Sequence, residues 1–184
     1  MSPDSAHLTR ERLKSETRRV ITLPRWTTGN YGDCEEVDNQ LLAAVHGSKT
    51  AQISDYELRA VNSPYGSAEQ VLWVRERYGF TPSKQLVRES DEGHNSVDFW
   101  RPAHLMPRRL SNLSVKVDSV EVTKLSEITA YQAIAEGCPP EFWDSPIAWY
   151  ARVWDELNAK RGYPWSGRAY YWVWRIKFEV ILDD

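Results

Sequence analysis

The chain has 184 residues, of which 41% are hydrophobic and 27% charged, and its net charge is −3. This composition suits one globular domain with an ordinary core, and it excludes binding of polyanions through overall charge, so any nucleic-acid contact needs a local basic patch. The two cysteines, Cys34 and Cys138, lie far apart. They predict neither a disulfide framework nor a zinc site, and they favour a reducing, cytoplasmic compartment.

The sequence predicts no membrane partner and no cofactor. Residues 1–20 are polar and charged and lack the apolar core of a signal peptide. The most apolar run, near the C-terminal end, is interrupted by Arg175, Lys177 and Glu179, which disfavours a membrane span. No phosphate-binding loop or dinucleotide fingerprint is present, and the four histidines form no ligand pair. We therefore expect neither a metal nor a cofactor.

The first part of the chain predicts one short strand and a long irregular stretch. Residues 1–13 are polar and predict a weakly helical lead-in, and residues 18–24 predict a short strand that ends at Pro24. Residues 26–68 are rich in turn formers and predict a poorly patterned excursion. Within it, residues 36–47 favour one short helix or a loop.

The middle of the chain is richer in strand formers. Residues 70–80 have the β-branched and aromatic density of a strand, and residues 81–98 predict a loop or hairpin. Residues 99–110 contain two prolines, which disfavour a regular element. Residues 113–122 alternate apolar and polar side chains but change phase, which predicts one strand with a bulge near residues 118–119.

A short helix is predicted next. Thr129 and Gln132 have the spacing of a capping box, in which each side chain bonds to the other residue's backbone N–H. Gly137 supplies a stop signal. The helix between them therefore carries Glu136 in its last turn.

The C-terminal part predicts a longer helix and a strand. Ser145, followed by proline, marks the start of a helix that closes on basic residues before Gly162. Residues 170–181 predict a last long strand. Because the strands are spaced too irregularly for repeated βαβ units, we predict an α+β fold: a single domain over residues 1–184, built as a small mixed or antiparallel β-barrel with flanking helices.

The stretch LKSETRRVI near the N-terminus places basic residues directly against an apolar run. On a helix, Lys14, Thr17 and Arg18 would share a face, because residues three and four apart are neighbours. On a strand, the residues that share a face would be Lys14, Glu16 and Arg18. The stretch is either a solvated basic end or a set of groups directed at a ligand, and composition alone favours the first.

Two further basic segments carry aromatic residues. Trp73, Arg75 and Arg77 fall on one face of the strand predicted at 70–80. Arginines with interleaved aromatic rings suit a site for bases and phosphates, and they equally often only cover a surface with charge. Glu136 opposes the helix dipole, which invites a functional role. The candidate ligand-binding residues are Arg18, Arg19, Trp73, Arg75, Arg77, Arg101, His104 and Arg108.

Four blocks of the chain, in order, resemble the ASCH family, a branch of the PUA-like proteins, in the version common in phages. The first block is LKSETRRVI, which resembles the family's GrKTxTRRV pattern. The others are SPYGSAEQVLWVRERY, the segment from FWRPAHLMPRRL to AYQAIAEG, and the segment from VWDELNAKRG to WVWRIKF. Together the blocks cover most of residues 14–180.

This resemblance implies a PUA-like small mixed β-barrel whose cleft takes RNA, a nucleotide or a modified nucleoside. In one bacterial branch of the family it also implies amide hydrolysis of acylated cytidine by a lysine and a threonine in the pattern K-x-x-T, together with a helical glutamate. Carried onto this chain, these residues are Lys14, Thr17 and Glu136.

Three functions remain open at this point. The leading one is binding of RNA or a modified nucleoside in a basic, Trp-lined cleft. The alternative is an amidohydrolase of N4-acylcytidine-type nucleosides that uses Lys14, Thr17 and Glu136 as catalytic residues. The third is a non-catalytic, phage-encoded protein that engages a host factor, which would place it in the host cytoplasm. The oligomeric state is not predicted.

Overall fold

The computed structural model describes residues 3–45, 58–91, 97 and 99–182. Three α-helices are present among these residues: α1 (Pro3–Arg10), α2 (Ala130–Ala135) and α3 (Pro146–Asn158). The strands are β1 (Glu16–Val20), β2 (Cys34–Val37), β3 (Gln40–Ala44), β4 (Leu58–Val61), β5 (Val71–Trp73), β6 (Tyr78–Phe80), β7 (Leu86–Arg88), β8 (Leu113–Lys124) and β9 (Trp172–Leu182).

A four-stranded antiparallel sheet with the order β1-β9-β8-β5 forms the centre of the fold. The long strands β8 and β9 pair from Leu113 opposite Leu182 to Lys124 opposite Trp172. Their pairing shifts by one residue between Val117 and Ser119, so the bulge predicted near residues 118–119 is confirmed. The bulge keeps apolar side chains on the buried face on both sides of the phase change.

Residues 26–68 contain a second sheet, which the sequence pattern did not reveal. Strands β2, β3 and β4 pair in antiparallel order, and β2 and β3 form a hairpin across Asp38 and Asn39. Both turn residues have positive φ, 50° and 63°, as a two-residue hairpin turn requires. The helix or loop expected at 36–47 is therefore wrong for residues 36–45, and residues 46–47 lie outside the described part.

Asn39 also ties this hairpin to the central sheet. Its Oδ1 accepts a hydrogen bond from the backbone N–H of Val122 at 2.7 Å, and its Nδ2 donates to the carbonyl of Val120 at 2.9 Å. Both partners lie on β8, beyond the segment of β8 that pairs with β5. The Asn39 amide thus satisfies backbone groups that a further strand would otherwise satisfy.

We expect Asn39→Gly to lower the free energy of unfolding by about 2 kcal/mol, because glycine keeps the positive φ but removes two hydrogen bonds. In a thermal melt this corresponds to a fall in Tm of about 6 °C. Asp38→Gly is the matched control, since Asp38 shares the turn geometry, and its Tm should change by less than about 2 °C. Equal shifts for the two variants would show that the amide contacts contribute nothing.

The strand predicted at 70–80 is interrupted. Its two ends form β5 and β6, while residues 74–77 leave the sheet. Strand β6 pairs with β7, so residues 81–88 form the hairpin that was one of two expectations for 81–98. Residues 92–96 and 98 of that range lie outside the described part of the chain. Residues 99–110 form two short 3₁₀ turns and one isolated bridge at Arg101, and they contain no regular strand or α-helix, as their prolines predict.

Two cores flank the central sheet. One lies on the face that carries Trp174, Ile176 and Phe178, where the second sheet adds Leu41 and Ala43. The other lies between the opposite face and the helices, and it contains Leu125, Ile128, Ala133, Tyr150, Trp154 and Val173. This arrangement confirms an α+β fold with antiparallel sheets. The described strands form three open sheets, so the expected closure into a barrel is not seen. Among the described residues, every helix is too short or too polar to cross a membrane.

Candidate active site

The stretch is a strand from Glu16 onward, with Lys14 two residues before its start, which decides between the two geometries that the sequence left open. Strand β1 pairs with β9, with Glu16 opposite Lys177 and Arg18 opposite Arg175. Lys14, Glu16 and Arg18 are 6%, 7% and 4% exposed, so the three residues predicted to share a strand face are all buried. The helix interpretation of this stretch is wrong, as is the interpretation as a solvated basic end.

Lys14 and Glu136 form a buried ion pair. The Lys14 Nζ donates hydrogen bonds to Oε2 and to the backbone carbonyl of Glu136, both at 2.8 Å. The other carboxylate oxygen, Oε1, accepts from Arg18 Nη1 at 3.2 Å and from the Tyr150 hydroxyl at 3.3 Å. Arg18 Nη2 donates to Oε1 of Gln132 at 2.8 Å. One carboxylate therefore contacts two buried cations.

A neighbouring ion-pair network holds the carboxylate of Glu16 on β1. Arg175 Nε donates to Glu16 at 2.9 Å, and Arg175 Nη1 donates to Glu121 at 2.9 Å. Arg18 is 3.7 Å from the Glu16 carboxylate, so Glu16 interacts more closely with Arg175 than with Arg18. The charge of Glu136 consequently remains the principal compensation for Lys14 and Arg18.

Helix α2 positions Glu136 through its two ends. Thr129 caps the N-terminus, and the reciprocal bonds between Thr129 and Gln132 confirm the predicted capping box. The helix ends at Ala135, so Glu136 is its C-cap and not part of its last turn. Gly137 follows with φ of +100°, which turns the chain sharply and keeps Glu136 against β1.

Gly137→Ala is expected to lower the free energy of unfolding by about 2 kcal/mol or more. Alanine at this position would have to adopt an unfavourable positive φ. Its Cβ would lie 2.9 Å from Leu8 Cδ1 and 3.6 Å from Lys14 Cβ. Gly29→Ala is the control, because Gly29 also has positive φ but no atom within 4 Å of the added Cβ. Urea unfolding of both variants measures the difference, and equal costs would exclude a packing role for Gly137.

A cavity of about 280 Å³ opens beside this cluster. Its polar side is formed by Lys14, three residues of β1 and Glu136, and its apolar side by one face of α3. His7 and Leu8 of α1 and Pro139 complete the lining. The residues of α3 that line it are Trp149, Tyr150, Val153, Trp154, Glu156, Leu157 and Asn158. The cavity thus combines aromatic surface with a few buried charged groups, which is typical of small-molecule sites.

Thr17 and Arg19 reach the cavity from the edge of the sheet. In the pairing with β9, Thr17 lies opposite Ile176 and Arg19 opposite Trp174, so they belong to the face opposite to Arg18. Both nevertheless line the cavity, since β1 is the last strand of its sheet. Within the described part of the chain, the Thr17 hydroxyl makes no hydrogen bond. It is therefore available to a ligand or a water molecule.

Burial sets the protonation of the cluster. Removal from water lowers the pKa of Lys14 below its usual value, and the nearby cations Arg19 and Arg18 lower it further, whereas the Glu136 carboxylate raises it. The pKa of Tyr150 is raised well above its usual value by burial and by Glu136. Tyr150 therefore stays protonated and keeps donating to Glu136, while Lys14 loses its proton more easily than an exposed lysine.

The other predicted ligand-binding residues do not line this cavity. The guanidinium of Arg75 stacks on Trp73, 4.6 Å from the ring centre, and its Nη1 donates to the carbonyl of His104 at 3.3 Å. Arg77 contacts the ring of Trp100 and pairs with Glu89. These residues form a separate, largely exposed surface around β5 and β6.

Arg101 and Arg108 belong to the same separate region. Arg101 lies 5.9 Å from the ring centre of Tyr78, to which it is also paired through a backbone bridge. Arg108 is exposed on a 3₁₀ turn. The single cleft expected from the sequence is therefore divided: Lys14, Thr17, Arg18, Arg19 and Glu136 meet at the cavity, and the remaining six candidates do not.

Helix α3 supplies the site residues that sequence reasoning missed. The spacing of Tyr150, Val153, Trp154 and Leu157 is helical, but a periodic apolar face indicates only that a helix packs against some other part of the protein. The tryptophans beside the ion pair are Trp149 and Trp154, and not Trp73. The exposed fraction of Leu157, 43%, results from its position in the cavity wall.

Comparison with known proteins adds no relative to these observations. No family model matches the chain, and no curated protein or solved structure is significantly similar to it. Within the described residues there is also no group of three or more His, Cys, Asp or Glu side chains placed to hold a metal ion.

Proposed function

We propose that this chain is a PUA-like protein of the ASCH type that binds an acylated cytidine in the cavity and hydrolyses its N4-amide bond. The observation that carries the proposal is the buried Lys14–Glu136 pair, with its 2.8 Å contacts, at the wall of a cavity that Thr17 also lines. These are the three residues that the K-x-x-T pattern and the helical glutamate designate.

The size of the cavity supports a small ligand. Sites for small molecules and cofactors begin at about 300 Å³, and a cavity of about 280 Å³ is near that limit. Trp149 offers an aromatic surface for a base, and buried Arg18 offers a hydrogen-bond donor. The Nε of Arg18 is buried without a partner among the described residues, which is unusual for a buried donor. Binding of a modified nucleoside is thus the first step of the proposed reaction.

Lys14 is the proposed general base. Its lowered pKa provides a neutral amine at a pH where an exposed lysine is charged. Because Thr17 makes no hydrogen bond to Lys14 within the described residues, we place one water molecule between the Thr17 hydroxyl and the Lys14 amine. A base that acts through one water molecule satisfies the distance requirement for proton transfer.

The proposed reaction has two steps. In the first, the water oxygen bonds to the acyl carbon while Lys14 takes a water proton, and Arg18 stabilises the negative oxygen that forms. In the second, the bond between the acyl carbon and N4 breaks, and the Lys14 ammonium gives its proton to the departing amine. Cytidine and a carboxylic acid leave, and Lys14 is neutral again. Glu136 holds Lys14 in position throughout.

Incubation of the purified protein with N4-acetylcytidine, followed by chromatography, tests the proposal. We expect release of cytidine, a loss of about 100-fold or more in kcat/KM for Thr17→Val, and substantial activity for Thr17→Ser, which keeps the hydroxyl. Both variants preserve an uncharged side chain of similar size at a half-exposed position. Full activity of Thr17→Val would remove Thr17 from the mechanism, and absence of cytidine release by the unchanged protein would refute the proposed function.

A further inference from the structure

A second cavity, with a volume of about 470 Å³, lies at the rim of the core that contains Trp174. Its walls are the C-terminal end of β1 with the turn after it, the end of β4 with the loop after it, and the 3₁₀ turn that follows α3. None of the residues that line it also lines the active-site cavity. It is therefore a separate place for a ligand, which the proposed reaction leaves unused.

Three aromatic side chains line this second cavity: Trp26, Tyr65 and Trp174. Trp174 is 6% exposed, and the other two are partly buried against the same core. Short turns hold the backbone on both sides of the cavity. The backbone N–H of Thr27 donates to the Pro24 carbonyl at 3.0 Å, and that of Tyr65 donates to Ser63 Oγ at 3.1 Å. The aromatic surface is thus largely formed before any ligand binds.

The free polar groups of this lining are mainly hydrogen-bond donors. The indole N–H groups of Trp26 and Trp174 have no acceptor within the described part of the chain, although a tryptophan in a core usually has one. Among the described residues that line the cavity, Arg161 is the only charged side chain, and no Asp or Glu accompanies it. Donors without acceptors favour an anionic ligand over a neutral base, which carries groups of both kinds.

Arg161 supplies the positive charge of the second cavity. It is exposed, and it has no carboxylate partner in the part of the chain that the structure describes. Its Nη1 donates one hydrogen bond, to the Asn158 side chain at 3.1 Å, which restricts the position of the guanidinium. The remaining N–H groups can bind both oxygens of a carboxylate, a contact that is stronger than a neutral hydrogen bond.

We propose that the second cavity binds a small aromatic carboxylate, whose ring packs among the three aromatic side chains and whose carboxylate pairs with Arg161. A flat ring suits this lining because aromatic rings attract one another in stacked and edge-to-face arrangements. The volume of about 470 Å³ lies within the range of small-molecule sites, which is about 300–1,000 Å³. The inference does not depend on the proposed function, since none of the proposed catalytic residues takes part.

Titration of the protein with 2-naphthoate and with 2-naphthamide, followed by NMR of the ligand signals, tests this inference. The two probes share one ring system and differ in the charge of a single group. We expect 2-naphthoate to bind about tenfold more tightly, because only its carboxylate forms an ion pair with arginine. We also expect its affinity, unlike that of 2-naphthamide, to fall with increasing salt.

Arg161→Gln should remove the preference for 2-naphthoate and leave the affinity for 2-naphthamide nearly unchanged. Lys160→Gln is the matched control and should keep the preference, since Lys160 lies on the same 3₁₀ turn, is exposed and lines neither cavity. An unchanged preference in Arg161→Gln, equal losses in both variants, equal affinity for the two probes, or no saturable binding of either probe would each overturn the inference.

Two further outcomes would assign the anion to another site or another ligand class. Loss of 2-naphthoate binding in Arg19→Gln but not in Arg161→Gln would place the carboxylate in the active-site cavity, which Arg19 lines, and would overturn the inference. Tighter binding of cytidine 5′-monophosphate than of 2-naphthoate, dependent on Arg161, would overturn it in favour of a nucleotide site. Neither naphthalene probe is a substrate of the proposed reaction, so hydrolysis of N4-acetylcytidine and binding of 2-naphthoate succeed or fail independently.

Discussion

Glu136→Gln is expected to lower the free energy of unfolding by about 3–5 kcal/mol, the range for breaking a buried ion pair by removing one partner. The carboxylate of Glu136 is the acceptor for Lys14 Nζ and for Arg18 Nη1, at 2.8 Å and 3.2 Å. The side chains of all three residues are less than 10% exposed, so water cannot solvate the two cations once the carboxylate is removed. Urea unfolding, followed by circular dichroism, measures the effect.

Glu121→Gln is the matched control for charge removal. Its carboxylate also contacts two cations, Arg175 and Lys177, but its side chain is 33% exposed. We expect a cost below about 1 kcal/mol, because solvent screens the pair. Adding Lys14→Met to Glu136→Gln should recover part of the loss, since one unpaired buried charge is then removed. A cost for Glu136→Gln no larger than that of Glu121→Gln would contradict the description of the cluster.

The pH dependence of hydrolysis is the second large effect. In the proposed mechanism Lys14 acts in its neutral form, so kcat/KM should rise with pH until Lys14 is deprotonated. This rising limb of the profile should lie below 10.5, the usual pKa of lysine. Burial is the main cause of this displacement, and the charge of Glu136 opposes it. In Glu136→Gln the negative charge that raises the pKa of Lys14 is gone, so the rising limb should move to still lower pH even though the maximal rate falls.

Lys14→Met should reduce kcat/KM by about 1,000-fold and remove this limb, because methionine fills a similar volume but accepts no proton. Lys116→Met provides the control, because Lys116 is a surface lysine paired with Glu69 and does not line the active-site cavity. Its profile should match that of the unchanged protein. A rate that does not vary with pH, or a limb that remains in Lys14→Met, would exclude Lys14 as the base.

Local signals in the sequence were sufficient to predict those structural elements that depend on residues close together in the chain. The capping box at Thr129 and Gln132 and the phase change near residues 118–119 both involve contacts within a few residues, or the face of a single strand. The hairpin at Asp38 and Asn39 had a local signal too, since both residue types tolerate positive φ. It was missed because the apolar residues after it also fit a short helix.

The composition of the cavity depends on contacts that are distant in the sequence. Lys14 and Glu136 are 122 residues apart, and residue spacing alone does not bring them together. The resemblance to the ASCH family predicted a catalytic role for both residues, whereas the sequence pattern around each residue did not. Arg75 and Arg77 were assigned to the same cleft because they resemble ligand-binding residues, but the break between β5 and β6 directs them elsewhere.

The role of α3 illustrates the same limit. A helix with a wide apolar face packs against a core or lines a cavity, and the periodicity is the same in both cases. Tyr150 and Trp154 are buried in the core under the sheet, whereas Leu157 on the same helix is left partly exposed at the cavity. Only the packing of α3 against α2 and β1 separates these roles.

We propose that the Lys14–Glu136 pair hydrolyses the N4-amide of an acylated cytidine. The most direct measurement is the rate of cytidine and acetate release from N4-acetylcytidine by the unchanged protein and by Lys14→Met, with folding of both checked by circular dichroism. We expect equimolar release of the two products by the unchanged protein and a rate about 1,000-fold lower for folded Lys14→Met. No release by the unchanged protein, or equal release by the two proteins, would contradict it.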